Sequence, residues 1–261
     1  MDIETRMEDA ILTVRDITVS PAPLAPNLLS DFSLTLRPGD VLGILGSNGV
    51  GKTTLLKCLS GCLTPEAGQI TFKYRSLFHD TPIKKEIGFL PDKVPLIPYF
   101  TVQENLSWMA KCRGLTPSET KKAIRYVSER LGLVSWSHIL AKHLSLGQRK
   151  LVGIAGTLIH QPTLTILDEP LNDLDTQVRE RVLDVLRTLG KYSMVIFTSH
   201  YYRDLATIAN KILLLEKGQS RWVLDKTGSI AESNEPLPKT TSAARRKRKN
   251  KAKRILVEKT S

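Results

Sequence analysis

The chain has 261 residues, enough for one large domain or two small ones around a sizeable core. With 41% apolar residues and three cysteines (Cys58, Cys62 and Cys112), its composition excludes collagen-like, coiled-coil and disulfide-stapled proteins. The formal net charge is +12, but eight cations lie in the ten residues Arg245 to Arg254, and outside that run 30 cations stand against 26 acids, so the basicity is mostly that of a tail.

The first ten residues, MDIETRMEDA, lack the apolar stretch of a secretory leader, and no apolar run approaches the ~20 residues that span a bilayer. A reducing compartment is therefore expected. Residues 11–19 (ILTVRDITV) and 32–36 (FSLTL) alternate apolar and polar as half-buried strands do, and RPGD (37–40) reads as the turn that follows. Between them SPAPLAPN (20–27), with three prolines, must be a loop. Val41 to Leu45 is a short apolar run suited to a strand buried on both faces, followed by a Gly-rich loop and by TTLLKCLSGCL, a helical pattern that ends near Gly61.

QITFKYR (69–75) and EIGFL (86–90) read as further strands. From Thr101 to about Arg130 the pattern turns helical in two stretches, with Pro117 placed for the first turn of the second, which predicts a helical subdomain over about 95–160 inserted into the sheet. LTIL (164–167), a helix over 176–189 with Val178, Val182, Val185, Leu186 and Leu189 on one face, MVIFTS (194–199) and KILLLE (211–216) restore the strand-helix alternation of an α/β protein with a mainly parallel sheet. After about Lys226 the composition shifts to Ser, Glu, Pro and Thr and then to cations. Residues 1–226 are thus expected to form the folded domain, and 227–261 a polar linker and basic tail without a packed core.

Gly46-Ser47-Asn48-Gly49-Val50-Gly51-Lys52-Thr53 satisfies G-x-x-x-x-G-K-[ST] between a strand and a helix, the context its mechanism requires. Glycines let backbone N–H groups turn inward around phosphate oxygens, and the helix start adds its positive dipole end. These eight residues and Thr54 are the expected phosphate-binding set, with Lys52 on the β- and γ-phosphates and the Thr53 hydroxyl on Mg²⁺. Leu164-Thr165-Ile166-Leu167-Asp168-Glu169-Pro170 then puts two carboxylates at the end of a buried strand. Phosphoryl transfer needs one group to hold Mg²⁺, assigned to Asp168, and one to orient or deprotonate the attacking water, assigned to Glu169.

Together with Leu144-Ser145-Leu146-Gly147-Gln148, some twenty residues before that strand, these motifs give residues about 11–225 a resemblance to the ATP-binding cassette of ABC transporters, whose signature is LSGGQ. The resemblance implies a P-loop NTPase fold with a parallel core sheet, an antiparallel β subdomain and an inserted helical subdomain. It implies a Mg²⁺-dependent ATPase on the cytoplasmic side of a membrane, peripheral to a separate transmembrane permease. It also implies a head-to-tail dimer, with itself or a related subunit, in which Ser145, Gly147 and Gln148 meet the ATP of the other chain. Leu174-Asp175 matches the dimer-facing D-loop, and His200, after MVIFTS, the switch histidine that contacts the γ-phosphate. His79, His138, His143 and His160 carry no motif.

The sequence departs from the family at three places. Leu146 replaces the first signature glycine, Asp92 stands where a glutamine usually senses Mg²⁺ and the permease, and no aromatic residue occurs from Val14 to Leu29 to stack on adenine. Asp92 is a candidate metal ligand beside Thr53 and Asp168, or else a solvated loop residue. A single cassette with a reduced signature also resembles the haem exporter subunit of cytochrome c maturation and exporters of lipid-linked polysaccharides or drugs. A soluble ABC-type ATPase acting on RNA or ribosomes through residues 245–254 is the alternative, against which stands the single cassette. The tail itself suits anionic lipid headgroups or RNA phosphates. Cys58 and Cys62, four residues apart, are expected as buried small hydrophobes rather than ligands.

Overall fold

The computed structural model describes residues 11–20, 27–216 and 219–226; the residues assigned above to the basic tail lie outside them. In chain order the elements are β1 (Leu12–Val19), β2 (Leu29–Leu36), β3 (Val41–Leu45), α1 (Lys52–Leu59), β4 (Ala67–Phe72), β5 (Arg75–Ser76), β6 (Ile87–Leu90), α2 (Val102–Cys112) and α3 (Pro117–Leu131). There follow α4 (Leu146–Leu158), β7 (Leu164–Leu167), α5 (Thr176–Leu189), β8 (Met194–Ser199), α6 (Tyr202–Ile208), β9 (Lys211–Glu216) and β10 (Gln219–Asp225). Short 3₁₀ turns precede β6 and α4.

Two sheets result. One is antiparallel, in the order β2-β1-β4-β5. The other runs β10-β9-β3-β8-β7-β6, with β9, β3, β8, β7 and β6 parallel and β10 antiparallel on the edge. β3, β7 and β8 are buried almost throughout, because helices and the second sheet cover their faces, as their unbroken apolar sequences require. One core lies between the two sheets and α1; the other fills the space from the parallel sheet to α2, α3, α4 and α5.

α2, α3 and α4 each begin with a reciprocal cap: Thr101 with Glu104, Thr116 with Glu119, and Ser145 with Gln148. Pro117 occupies the first turn of α3, where a missing N–H costs nothing.

Three sequence expectations are corrected. The strand read through QITFKYR stops at Phe72, because Lys73 and Tyr74, both at positive φ (52° and 61°), form a two-residue turn that pairs Phe72 with Arg75. β2 begins at Leu29 rather than at residue 32, its first residue pairing with Val19. Cys62 is exposed, since α1 ends at Leu59 and Gly61 turns the chain at φ 73°; only Cys58 is buried, and burial pushes its thiol up to about 11.

His160, which carries no motif, lies just after α4. Both ring nitrogens are buried without a hydrogen-bond partner. Burial, and secondly the Arg113 guanidinium, push its pKa from 6.5 down to about 4; the Ile87 carbonyl lies close enough to offset part of this without being aligned as an acceptor. Arg113 is fixed there by donating to the carbonyls of Ile87 (3.0 Å) and Lys84 (3.3 Å).

An unfolded chain takes up a proton at His160 below about pH 6.5, whereas the folded chain resists until about pH 4, so stability is full above that window and falls as pH drops through it. By about pH 5 the loss amounts to about 2 kcal/mol. A His160→Phe variant is therefore expected to lose less unfolding free energy than wild type between neutral pH and pH ~5 in denaturant titrations. The capping carboxylates Glu104 and Glu119, held below their ordinary 4.5 by hydrogen bonds from Thr101 and Thr116, add their own loss only at lower pH.

Candidate functional site

β3 is flanked by β8 and β9, and β7 lies beside β8, so the parallel C-terminal ends of β3, β8 and β7 open at one end of the sheet. That is where open α/β sheets hold their ligands. Each of these three ends delivers a motif: the Gly46–Thr53 loop after β3, Asp168-Glu169 after β7, and Thr198-Ser199-His200 at the end of β8.

The loop turns into α1 at Gly51, whose φ of 108° suits glycine and scarcely any other residue. Ser47, Asn48 and Gly49 are exposed, whereas the Lys52 side chain folds back, is 6% exposed, and donates to the carbonyls of Gly46 (2.8 Å) and Ser47 (3.2 Å). Its ammonium lies 3.0 Å from Glu169 Oε1, an ion-pair contact without the alignment of a hydrogen bond. The other oxygen, Oε2, is 3.3 Å from His200 Nδ1. Glu169 itself sits at φ 46°, a backbone strain of the kind found at functional sites. The structure thus brings Lys52, Glu169 and His200 together.

Asp168 is fully buried and satisfied: the Thr53 hydroxyl donates to Oδ2 (2.6 Å) and the Thr198 hydroxyl to Oδ1 (2.9 Å). Thr198 also accepts from the Glu169 amide (2.7 Å), so one β8 hydroxyl sets both carboxylate positions. Thr198 carries no motif in the sequence; the available signal was a hydroxyl residue near the end of a fully buried strand, two residues before His200.

Adjacent hydroxyl and carboxylate oxygens are the hard donors Mg²⁺ takes, and among the described residues no group of three or more His, Cys, Asp or Glu could cage an ion alone. Mg²⁺ is characteristically bound through one or two protein oxygens plus substrate phosphates, so Thr53 and Asp168 fit it.

The signature residues stand apart from this cluster. Ser145 Oγ accepts from the Gln148 amide (3.2 Å) and Gln148 Oε1 from the Ser145 amide (2.9 Å), so both are engaged as the α4 cap. Leu146, beside them, is 70% exposed. Gly147 packs so closely that a Cβ there would lie 2.5 Å from the Asp173 carbonyl, which ties α4 to the loop after Glu169. Asp175 caps α5, accepting from the Val178 amide at 3.0 Å. Asp92 has its carboxylate 3.2 Å from Lys150 of α4, and no hydrogen bond or ion pair among the described residues links it to Thr53 or Asp168. An apolar cavity of about 460 Å³, lined by Tyr126, Leu158, Pro162, Val185 and Tyr192, adjoins the N-terminal ends of β7 and β8, away from these residues.

A parallel sheet with a phosphate loop after its central strand, and paired carboxylates two strands away, defines a P-loop nucleoside triphosphate-binding protein. The model of the ABC transporter family matches residues 29–172, more than half of the chain, and the chain belongs to that family. It is 32% identical over 202 residues to the linearmycin resistance ATP-binding protein LnrL of Bacillus subtilis, a match that covers 77% of this chain and 65% of LnrL, so the chain spans less than two thirds of that protein's length. It is 31% identical over 192 residues to the ABC transporter ATP-binding protein NatA of the same organism, covering 72% of this chain and 78% of NatA. Among solved structures, a dimeric ATP-binding cassette in a post-hydrolysis state with ADP and Pi superposes with a TM-score of 0.73 over 81% of this chain and 98% of that one; at 20% identity it shares the fold.

Proposed function

We propose that this chain is the ATP-hydrolysing subunit of an ABC transporter, working as one half of a head-to-tail dimer beneath a separate membrane-spanning permease. The observation that carries the reading is the Lys52–Glu169–His200 cluster beside the Thr53–Asp168 pair, at the strand ends where the fold holds a nucleotide. Among the described residues no helix is long and apolar enough to cross a membrane, consistent with a peripheral subunit.

The amides of residues 46–54 and the α1 dipole receive the phosphates, and Lys52 turns from Glu169 to the β- and γ-phosphates. That transfer matters, because an ammonium 3.0 Å from Glu169 Oε1 competes for one oxygen of the carboxylate that acts as base. Once released, Glu169 accepts a proton from the attacking water as its oxygen bonds to the γ-phosphorus and the bond to the β-phosphate oxygen breaks, giving ADP and inorganic phosphate. His200 holds the other Glu169 oxygen and turns towards the γ-phosphate. Thr53 and Asp168 would hold Mg²⁺, which would neutralise charge developing on the phosphate oxygens. Ser145, Gly147 and Gln148 of the second subunit close the site at an α-helix N-terminus.

The assembly is tested by solubilising membranes and isolating the tagged chain. A multi-span membrane protein is expected to co-purify. Co-sedimentation with ribosomes, lost on deleting residues 245–254, is the result that would overturn the transporter reading in favour of an RNA-directed ATPase.

A further inference from the structure

We infer that Asp92 and Lys150 form a positioning pair that fastens the strand-end segment 90–94 to α4, so that Asp92 serves hydrolysis through the signature helix and not as a metal ligand. The inference rests on the ATPase reading above and concerns a position where this sequence departs from its family.

Lys150 lies in the second turn of α4 with its side chain 4% exposed, whereas that of Asp92 is 57% exposed. A buried ammonium is costly unless it is paired and its protons are satisfied. Here it donates to the Asp92 carbonyl (2.9 Å) and to Asp92 Oδ1 (3.2 Å), and among the described residues no other carboxylate pairs with it. Because one residue supplies both acceptors, backbone and side chain of Asp92 are fixed together. Turning the carboxylate towards Thr53 and Asp168 would deprive the buried cation of its counter-charge.

A second contact, independent of charge, holds the same segment. A Cβ at Gly153 of α4 would lie 2.5 Å from Val94 Cγ1 and 2.8 Å from Leu90 Cδ1, so residues 90–94 are seated against the bare helix backbone. The Leu90 carbonyl in turn accepts from the Asp168 amide at 2.9 Å. On its other side α4 touches the loop after Glu169, where Gly147 meets the Asp173 carbonyl. The signature helix thus contacts the polypeptide on both sides of Asp168-Glu169, and Asp92–Lys150 is the polar fastening of one side. A nucleotide engaged by Ser145 and Gly147 moves both carboxylates through α4 only while that fastening holds.

Asp92→Asn, Lys150→Met and the double variant are compared in the full chain. Three readouts are taken: amide hydrogen exchange of residues 88–94 without nucleotide, kcat and KM for ATP, and the Mg²⁺ concentration giving half-maximal rate. Each single variant is expected to raise exchange and lower kcat by about tenfold, with KM for ATP and the Mg²⁺ requirement unchanged within about twofold, as loss of one charge-assisted bond implies. The double variant is expected to be no worse than the poorer single one.

An increased Mg²⁺ requirement in Asp92→Asn but not in Lys150→Met would make Asp92 a metal ligand and overturn the pair. So would additive losses, or unchanged exchange. Asn is nearly isosteric with Asp, so Asp92→Asn keeps the test open should Lys150→Met fail to fold. The exchange readout needs no hydrolysis: increased exchange with no ATPase activity in wild type, either alone or with the membrane protein that co-purifies, would sink the ATPase reading and leave the pair standing.

Discussion

Replacing Glu169 by Gln is expected to lower ATP hydrolysis by about a thousandfold while leaving ATP bound, the loss that follows when a positioned general base is removed. The amide keeps the shape of the carboxylate and can still face His200, but it cannot take a proton from water. In the nucleotide-free protein the same change removes the counter-charge of a Lys52 ammonium that is 6% exposed, at a cost of about 1–3 kcal/mol to folding. ATP restores that loss, because its phosphates supply the missing anion, so the variant is expected to show a larger ATP-induced rise in Tm than wild type. Phosphate release and thermal melts with and without ATP check both halves. Hydrolysis at the wild-type rate would place the base elsewhere.

Lys52→Ala acts in the opposite order. It strips the ammonium from two loop carbonyls and from Glu169, leaving a side chain only 10% exposed without its cation, so the nucleotide-free protein is expected to be destabilised by about 2 kcal/mol. It also removes the one side-chain cation that the phosphate loop supplies, and ATP affinity is expected to fall by about a hundredfold, a typical loss for one buried charge-assisted contact. ATP should therefore stabilise this variant hardly at all. The two substitutions, on groups 3.0 Å apart, separate binding from chemistry by the sign of their effect on ATP-induced stabilisation.

The site was legible in the sequence wherever its signal is local. Gly46–Thr53 between a buried strand and a helix, and Asp168-Glu169 after LTIL, are chemical requirements written in consecutive residues, and the structure puts both at the same end of the sheet, on strands separated only by β8. β3, β7 and β8 were legible because a strand covered on both faces must be apolar throughout. β10 was not, since Gln219–Asp225 lies on the sheet edge, mostly half-buried, and carries no unbroken apolar run. The hairpin at Lys73-Tyr74 was hidden because neither residue is the Gly or Asn that ordinarily announces positive φ.

What local patterns cannot carry is a partnership across the fold. Thr198 reaches Asp168 from 30 residues away, and Lys150 reaches Asp92 from 58. In sequence Asp92 is an acid in a motif position. Its burial-driven attachment to α4 becomes visible only when the ammonium of Lys150 has somewhere to go. The capping box of Ser145 and Gln148 shows the converse: residues read in sequence as a phosphate motif satisfy the start of their own helix.

Binding of ATP by the Gly46–Thr53 loop through Lys52 is read by equilibrium calorimetry on the purified full chain, wild type beside Lys52→Ala, which requires neither the permease nor the dimer. Saturable one-to-one binding to wild type, weakened by about a hundredfold in a folded Lys52→Ala protein, is the predicted result. Equal affinity in both proteins, or no binding to wild type, would contradict it.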